Sequence, residues 1–227
     1  MTIIKIGNYF YSGETLIKKN KKSEIYKYEK ITIYPKKYIE YINENYNDDN
    51  KYIIIKKNNN YKLGKNELDN LKLLENEKGI IKCLGYYTNN FYIKLAFKYY
   101  DNGSLKTYMK CNTLNKYQYE NIFIKLIEIL KKLENRNLMH GDIKEDNILI
   151  NDQLEPEICD LESLHHIETK TKIFTEKYFN SNYYNEDIYA LYIMYFHIKN
   201  KKYPDEENIP LNNEKYNYEN IKKLLIF

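Results

Sequence analysis

The sequence has few of the residues that stabilise small secreted or metal-bound folds. It contains three cysteines and no Cys-x-x-Cys spacing, which argues against a disulfide framework and against a zinc site. Among its 227 residues there is no tryptophan, and Arg136 is the only arginine. Because arginine is the usual bidentate reader of bases and phosphates, we expect no specific nucleic-acid binding.

Long apolar runs are also missing. No run approaches the ~20 residues that a membrane-spanning helix needs, and the first residues lack the ~7–15-residue apolar core of a secretory signal. We therefore expect no membrane span and a cytoplasmic, intracellular location. Lysine, asparagine, isoleucine and tyrosine dominate instead, which suggests an AT-rich coding genome of a parasite, endosymbiont or large virus and allows a host-cell location. The oligomeric state stays open.

The order of the predicted elements indicates an α+β fold. Apolar and polar residues alternate in the first third of the chain, and later segments show helical spacing, as at Ile122, Leu126, Ile129 and Leu133. Residues 35–51 are polar and are predicted to be an insertion or a loop. The remaining predicted segments are strands at 24–34, 52–56, 80–87, 91–98, 148–150 and 157–159, and helices at 65–76 and 187–199.

The strongest motif is the segment His140 to Asn147, between a predicted helix and a predicted strand. It resembles the catalytic loop H-R-D-x-K-x-x-N of the protein kinase superfamily, which it matches at His140, Asp142, Lys144 and Asn147. The resemblance implies ATP and Mg²⁺ (or Mn²⁺) as cofactors. It makes Asp142 the catalytic base, Lys144 a contact to the γ-phosphate and Asn147 a metal ligand.

A second metal ligand is expected at Asp160. The segment Ile158 to Glu162 is similar to the family's D-F-G element and follows the catalytic loop at the expected short distance. Leucine replaces the phenylalanine of that element, and Glu162 replaces its glycine.

Lys56 resembles the lysine of the family's V-A-I-K strand, and Glu67 resembles its helix partner. The resemblance implies that Lys56 binds the α- and β-phosphates of ATP while Glu67 holds it in place. Lys57 is the alternative. Since neighbouring strand residues point to opposite faces, only one of the two lysines can do this, and the motif register favours Lys56.

Residues 95–105 are similar to the hinge between kinase lobes, where the backbone of Lys98 and Tyr100 would bind adenine. The resemblance predicts a single bilobal kinase-like domain over residues 1–227. Its β-rich N-terminal lobe spans about 1–99, its hinge about 98–103, and its mainly helical C-terminal lobe about 104–227. That second lobe is expected to be truncated, because the chain ends about twenty residues after Tyr203.

The resemblance fails at two functional positions. The stretch Lys18 to Ile25 has none of the glycines that let a loop backbone approach phosphates. Its lysines could replace them by charge, the loop could stay open, or the stretch could be a solvated hairpin. Gly141 replaces an arginine that pairs with a phosphorylated activation segment in many kinases. No A-P-E is recognisable, whereas Asp187 resembles the aspartate that supports the catalytic-loop backbone.

Three functions agree with these residues. Lys144, two residues after Asp142, favours a protein kinase acting on serine or threonine of a protein substrate whose identity is unknown. A small-molecule phosphotransferase of the aminoglycoside or choline kinase type would also carry H-G-D-x-x-x-x-N and an acidic residue such as Glu162. A pseudokinase acting as a binding module would explain the missing glycines.

Overall fold

The chain divides into two compact units. The first contains residues 1–76 and 81–99, and the second contains residues 77–80 and 100–227. The computed structural model describes the following parts of the chain: residues 2–32, 35–41, 49–169, 175–178 and 185–204.

The first unit is built on one seven-stranded sheet with the strand order β4-β1-β2-β3-β5-β7-β6. All neighbouring strands are antiparallel except β1 and β4, which are parallel. Alternation along β5 buries Ile53 and Ile55 in an apolar core on one face. The strands are β1 (Ile4–Ile6), β2 (Tyr9–Lys19), β3 (Ser23–Ile31), β4 (Ile39–Tyr41), β5 (Tyr52–Asn58), β6 (Cys83–Thr88) and β7 (Ile93–Lys98).

Two sequence predictions in this unit were wrong. Residues 35–51, predicted to be an insertion or a loop without a strand, include the strand β4, which pairs with β1 and buries Tyr41 in the core. Three residues are too few for alternation to reveal a strand. The strand predicted over 80–87 begins only at Cys83, because Ile80 forms a parallel bridge with Ile158 in the second unit.

The one helix among the described residues of the first unit, α1 (Tyr61–Leu73), confirms the helix predicted over 65–76 but starts earlier. Its beginning is set by Asn60, whose side-chain oxygen accepts a hydrogen bond from the Leu63 amide at 3.2 Å. Its buried face carries Gly64, Glu67, Leu68 and Leu71. A Cβ atom at Gly64 would lie 2.8 Å from the Asn58 Cβ, so glycine lets α1 lie close to β5.

Helices form most of the regular structure among the described residues of the second unit. Ser104 caps α2, and the residues Ile122, Leu126, Ile129 and Leu133 of α3 are all buried. Its helices are α2 (Leu105–Cys111), α3 (Lys116–Glu134) and α4 (Glu186–Asn200). Two antiparallel ribbons accompany them: β8 (Leu138–Met139) with β11 (His165–His166), and β9 (Ile148–Ile150) with β10 (Pro156–Ile158).

The other predictions about the architecture remain untested. The lobe boundaries and the hinge at 98–103 stay predictions. The truncation of the second lobe concerns residues 205–227, which lie outside the described residues. Within the part of the chain that the structure describes, no helix is both long enough and apolar enough to cross a membrane.

Candidate active site

The carboxylate of Asp142 lies at the centre of a small polar network. Its Oδ2 atom accepts hydrogen bonds from Lys144 Nζ at 2.5 Å and from Asn147 Nδ2 at 3.1 Å. Its Oδ1 atom accepts one from the Thr175 hydroxyl at 2.7 Å. The structure therefore brings together three of the predicted site residues and one residue that was not predicted.

Thr175 is the residue that sequence reasoning missed. It belongs to none of the motifs that resemble the kinase family. In the structure Lys144 Nζ also donates to Thr175 Oγ1 at 2.9 Å, so the ammonium, the hydroxyl and the carboxylate form a closed triangle. Thr175 is 33 residues from Asp142, and no local spacing could signal a contact over that distance.

The backbone of the catalytic loop is held by Asp187, near the start of α4. Its two carboxylate oxygens accept hydrogen bonds from the amides of His140, at 2.7 Å, and Gly141, at 2.9 Å. Asp187 and His140 are both buried, so these amides have no access to water and depend on this carboxylate. The backbone support that the resemblance implies for Asp187 is therefore present.

The candidate metal ligands Asn147 and Asp160 lie on two segments that are hydrogen-bonded to each other. The carbonyl of Asn147 accepts the amide of Cys159 at 3.0 Å, next to Asp160. The carbonyl of Cys159 in turn contacts His140 Nε2 at 3.0 Å. Because Asn147 Nδ2 donates to Asp142, its amide oxygen remains the acceptor. An amide oxygen and a carboxylate are ligands that Mg²⁺ accepts, so the donor set fits this ion.

In the first unit Lys56 and Glu67 form a buried ion pair. Lys56 Nζ lies 2.8 Å from Glu67 Oε1, and Glu67 Oε2 accepts a second hydrogen bond from Asn58 Nδ2 at 2.9 Å. The neighbouring Lys57 instead contacts Glu24 at 3.3 Å. The two lysines diverge as strand alternation predicts, and Lys56 is the one paired with Glu67. Its contact to nucleotide phosphates stays a prediction.

The segment without glycines forms a tight hairpin between β2 and β3. The side-chain oxygen of Asn20 accepts the amides of Lys22 and Ser23 at 2.8 and 2.7 Å, which closes the turn. Lys19 Nζ lies 2.7 Å from Glu24 Oε1, and this hydrogen bond is the main reason why the pKa of Glu24 falls to about 2. Lys21 and Lys22 are exposed. The stretch is therefore a closed hairpin, and the contact of its lysines with phosphates stays a prediction.

Lys98 and Tyr100 are the candidate adenine contacts, and each is held by different residues. Lys98 ends β7 opposite Ile53. The Tyr100 hydroxyl donates to Glu157 Oε2 at 2.6 Å, and its carbonyl accepts the amide of Gly103 at 2.9 Å. Burial raises the pKa of Tyr100 far above its ordinary value, so the phenol stays protonated. The adenine-binding role of both residues stays a prediction.

Gly141 has no room for a side chain. Its φ of +79° lies in the left-handed region, which disfavours other residues. A Cβ atom there would lie 2.9 Å from His165 Cε1 and 3.1 Å from the carbonyl oxygen of Ser163. Arg136, the only arginine, forms an ion pair with Glu77 at 2.8 Å. Gly141 thus occupies the position of the family's phosphate-binding arginine, and it is packed against His165.

A β-sheet unit with a buried Lys–Glu pair and a helical unit with this catalytic loop together have the features of a protein kinase. The family model for the protein kinase domain matches residues 42–223. The chain therefore belongs to the protein kinase family.

Curated relatives resemble part of the chain. The probable serine/threonine-protein kinase samkC of Dictyostelium discoideum is 35% identical over 83 residues, which cover 36% of this chain and 10% of that protein. The related samkB is 34% identical over 93 residues, or 37% of this chain and 16% of that protein. Serine/threonine-protein kinase 1 of African swine fever virus (isolate Pig/Kenya/KEN-50/1950) is 33% identical over 86 residues, or 37% of this chain and 29% of that protein. Each match thus spans less than a third of the relative.

Proposed function

We propose that this chain transfers the γ-phosphoryl group of ATP to serine or threonine hydroxyls of a protein substrate. The observation that carries the proposal is the Asp142 carboxylate, which already accepts a hydrogen bond from an alcohol, Thr175 Oγ1, at 2.7 Å. A carboxylate that accepts an O–H in this way can act as the general base for a substrate hydroxyl. The relatives are named as serine/threonine-protein kinases, samkC as a probable one, and these names support the same reaction.

The reaction needs few covalent steps from the protein. The substrate hydroxyl oxygen attacks the γ-phosphorus, the bond to the bridging oxygen of ADP breaks, and the hydroxyl proton passes to Asp142. Lys144, 2.5 Å from Asp142, would neutralise charge on the transferred group.

The remaining candidate residues would bind the nucleotide. Lys56, held by Glu67, would contact the α- and β-phosphates, and the backbone of Lys98 and Tyr100 would bind adenine. Asn147 and Asp160 would hold Mg²⁺ or Mn²⁺, which would neutralise charge on the phosphate oxygens.

One experiment distinguishes the proposed function from the two alternatives. The protein is incubated with labelled ATP and Mg²⁺ and offered generic proteins in one set, and aminoglycosides or choline in the other. We expect label in phosphoserine or phosphothreonine of the proteins. Label found only in the small molecules would establish the small-molecule phosphotransferase instead. ATP binding without any transfer would establish the pseudokinase.

ATP binding is expected to be weak and salt-sensitive. The hairpin turn Asn20 to Ser23 is closed by its own side-chain hydrogen bonds, so its backbone cannot wrap phosphates as glycines do. Exposed lysines such as Lys21 and Lys22 would contact the phosphates instead, and exposed charges are screened beyond ~8–10 Å at physiological ionic strength. Calorimetry at low and high salt should show affinity falling with salt.

The matched control for that titration is the double variant Lys21→Gln, Lys22→Gln. It should bind ATP more weakly than the wild type at low salt and show a smaller salt dependence. Tight binding that is insensitive to salt in both proteins would contradict the prediction.

Activity is expected to be independent of phosphorylation in the activation segment, predicted from Ser163 to about Tyr183. Gly141 offers no charge partner there, and Arg136 is paired with Glu77. Of the hydroxyls, Ser163 donates to the His140 carbonyl and Thr169 to the His166 carbonyl. The segments 170–174 and 179–184 lie outside the described residues; they contain Thr171, Ser181 and the two lysines, Lys170 and Lys172, that could pair with phosphate.

The test compares turnover of phosphatase-treated protein with that of a variant carrying alanine at Thr169, Thr171 and Ser181. Ser163 and Thr175 are left intact, because losing their hydrogen bonds to the His140 carbonyl and to Asp142 would by itself disturb the catalytic loop. Both samples should turn over like the untreated wild type. A large loss in either one would reveal a phosphorylation switch.

A further inference from the structure

Glu145, inside the catalytic loop, is a buried carboxylate to which the reaction assigns no role. Its side chain is only 6% exposed, although a charged group is rarely buried unless its oxygens are satisfied. Both oxygens are satisfied from distant parts of the chain. Oε2 accepts a hydrogen bond from the Tyr178 hydroxyl, 33 residues away, and Oε1 lies 2.9 Å from His197 Nδ1 on α4, 52 residues away.

The two partners of Glu145 are themselves fixed by Tyr203. The ring of His197 stacks on the Tyr203 ring, with centroids 4.0 Å apart and planes within 5°. The hydroxyls of Tyr178 and Tyr203 lie 3.2 Å apart, and Lys177 Nζ donates to the Tyr203 hydroxyl at 2.6 Å. Tyr178 is buried. The cluster is therefore a connected network, and Glu145 is its only member in the catalytic loop.

The network reaches the catalytic carboxylate through a single short turn. Tyr178 ends the 3-10 helix Glu176–Tyr178, and its amide donates to the carbonyl of Thr175 at 2.8 Å. The Thr175 hydroxyl is in turn bonded to Asp142. Glu145 and Asp142 thus hold the two ends of the same four-residue stretch, one through Tyr178 and the other through Thr175.

The geometry points to Glu145 as a positioning residue that holds the segment Thr175–Tyr178 against the catalytic loop, so that a protein substrate meets Asp142 with its hydroxyl in place. This inference rests on the proposed protein kinase activity. Glu145 touches no reacting atom and acts through Tyr178. Replacing Glu145 should therefore lower kcat/KM for the protein substrate and leave the KM for ATP unchanged.

The test uses Glu145→Gln and Tyr178→Phe, singly and together. Each removes part of the same contact with little change of shape. We expect each single variant to lower kcat/KM for the protein substrate roughly 10–100-fold, the scale of a misplaced reacting group, with KM for ATP unchanged. Because both act on one contact, the double variant should be no worse than the poorer single variant. Tyr178→Phe keeps the test valid if Glu145→Gln does not fold.

The matched control is Glu155→Gln, which removes a more exposed carboxylate paired with Lys125 in the same unit. It should keep wild-type kinetics, because exposed ion pairs contribute little. Wild-type kcat/KM in Glu145→Gln or Tyr178→Phe would overturn the inference. So would an equally large change in the KM for ATP, or additive losses in the double variant. If the wild type itself transfers no phosphate to protein, the proposed function fails instead.

Discussion

Replacing Asp142 with asparagine is expected to cut phosphoryl transfer by about 10²–10⁴-fold, the usual contribution of a general base. An amide has nearly the shape of the carboxylate but cannot take the proton of the substrate hydroxyl. It also replaces one carboxylate oxygen by an NH₂ group, either at Oδ2, which accepts from Lys144 and Asn147, or at Oδ1, which accepts from Thr175. Initial rates with labelled ATP and a protein substrate measure the effect, and calorimetry should show nearly unchanged ATP binding.

The control for this variant is Asp152→Asn, the same chemical change at an exposed aspartate between β9 and β10. It should leave the rate within about twofold of the wild type, since exposed substitutions away from the site usually change little. An Asp142→Asn protein as active as the wild type would show that the base lies elsewhere.

Replacing Glu67 with alanine is expected to lower the free energy of unfolding by about 3–5 kcal/mol, the cost of breaking a buried ion pair from one side. Lys56 is 10% exposed and Glu67 2% exposed at the side chain, so neither charge can turn to water without local rearrangement. Asn58 Nδ2 would lose its 2.9 Å acceptor as well. Urea unfolding, followed by circular dichroism, measures the loss.

Two further variants separate stability from nucleotide binding. Asp69→Ala removes the exposed Lys65 pair on the same helix and should cost about 0.5 kcal/mol or less. The double variant Lys56→Met, Glu67→Met replaces both charges with apolar groups, so it should regain most of the stability. It should still bind ATP poorly, because the proposed phosphate contact is gone. Full stability in Glu67→Ala would contradict the buried-pair interpretation.

The parts of the site that the sequence predicted are those fixed by local spacing. The catalytic loop depends on four positions within eight residues. Strand alternation allows only one of Lys56 and Lys57 to face the site, and the motif register selects Lys56. The helix α3 was predicted because its apolar residues recur at helical spacing. The helix α4 was predicted because its segment is apolar nearly all round, as in a buried helix.

The parts that were missed depend on contacts between distant segments. The hydrogen bond between Thr175 and Asp142 joins residues 33 positions apart in the sequence, and the contact between His197 and Glu145 joins residues 52 positions apart. Nothing near Thr175 distinguishes it from the other hydroxyls of its segment. The strand β4 was missed because its pairing with β1 and the burial of Tyr41, rather than its own pattern, define it.

The contact between Gly141 and His165 makes these two positions epistatic. Arginine at position 141 would need a left-handed backbone and the space that His165 now fills, with its Cε1 atom 2.9 Å from the missing Cβ. A smaller residue at position 165 would remove the contact with the imidazole ring, but the left-handed backbone and the Ser163 carbonyl oxygen, 3.1 Å from the Cβ position, would still oppose an arginine. Arginine at position 141 should therefore destabilise the chain less after His165 has been replaced than before, and the order of the two substitutions decides how unstable the intermediate is.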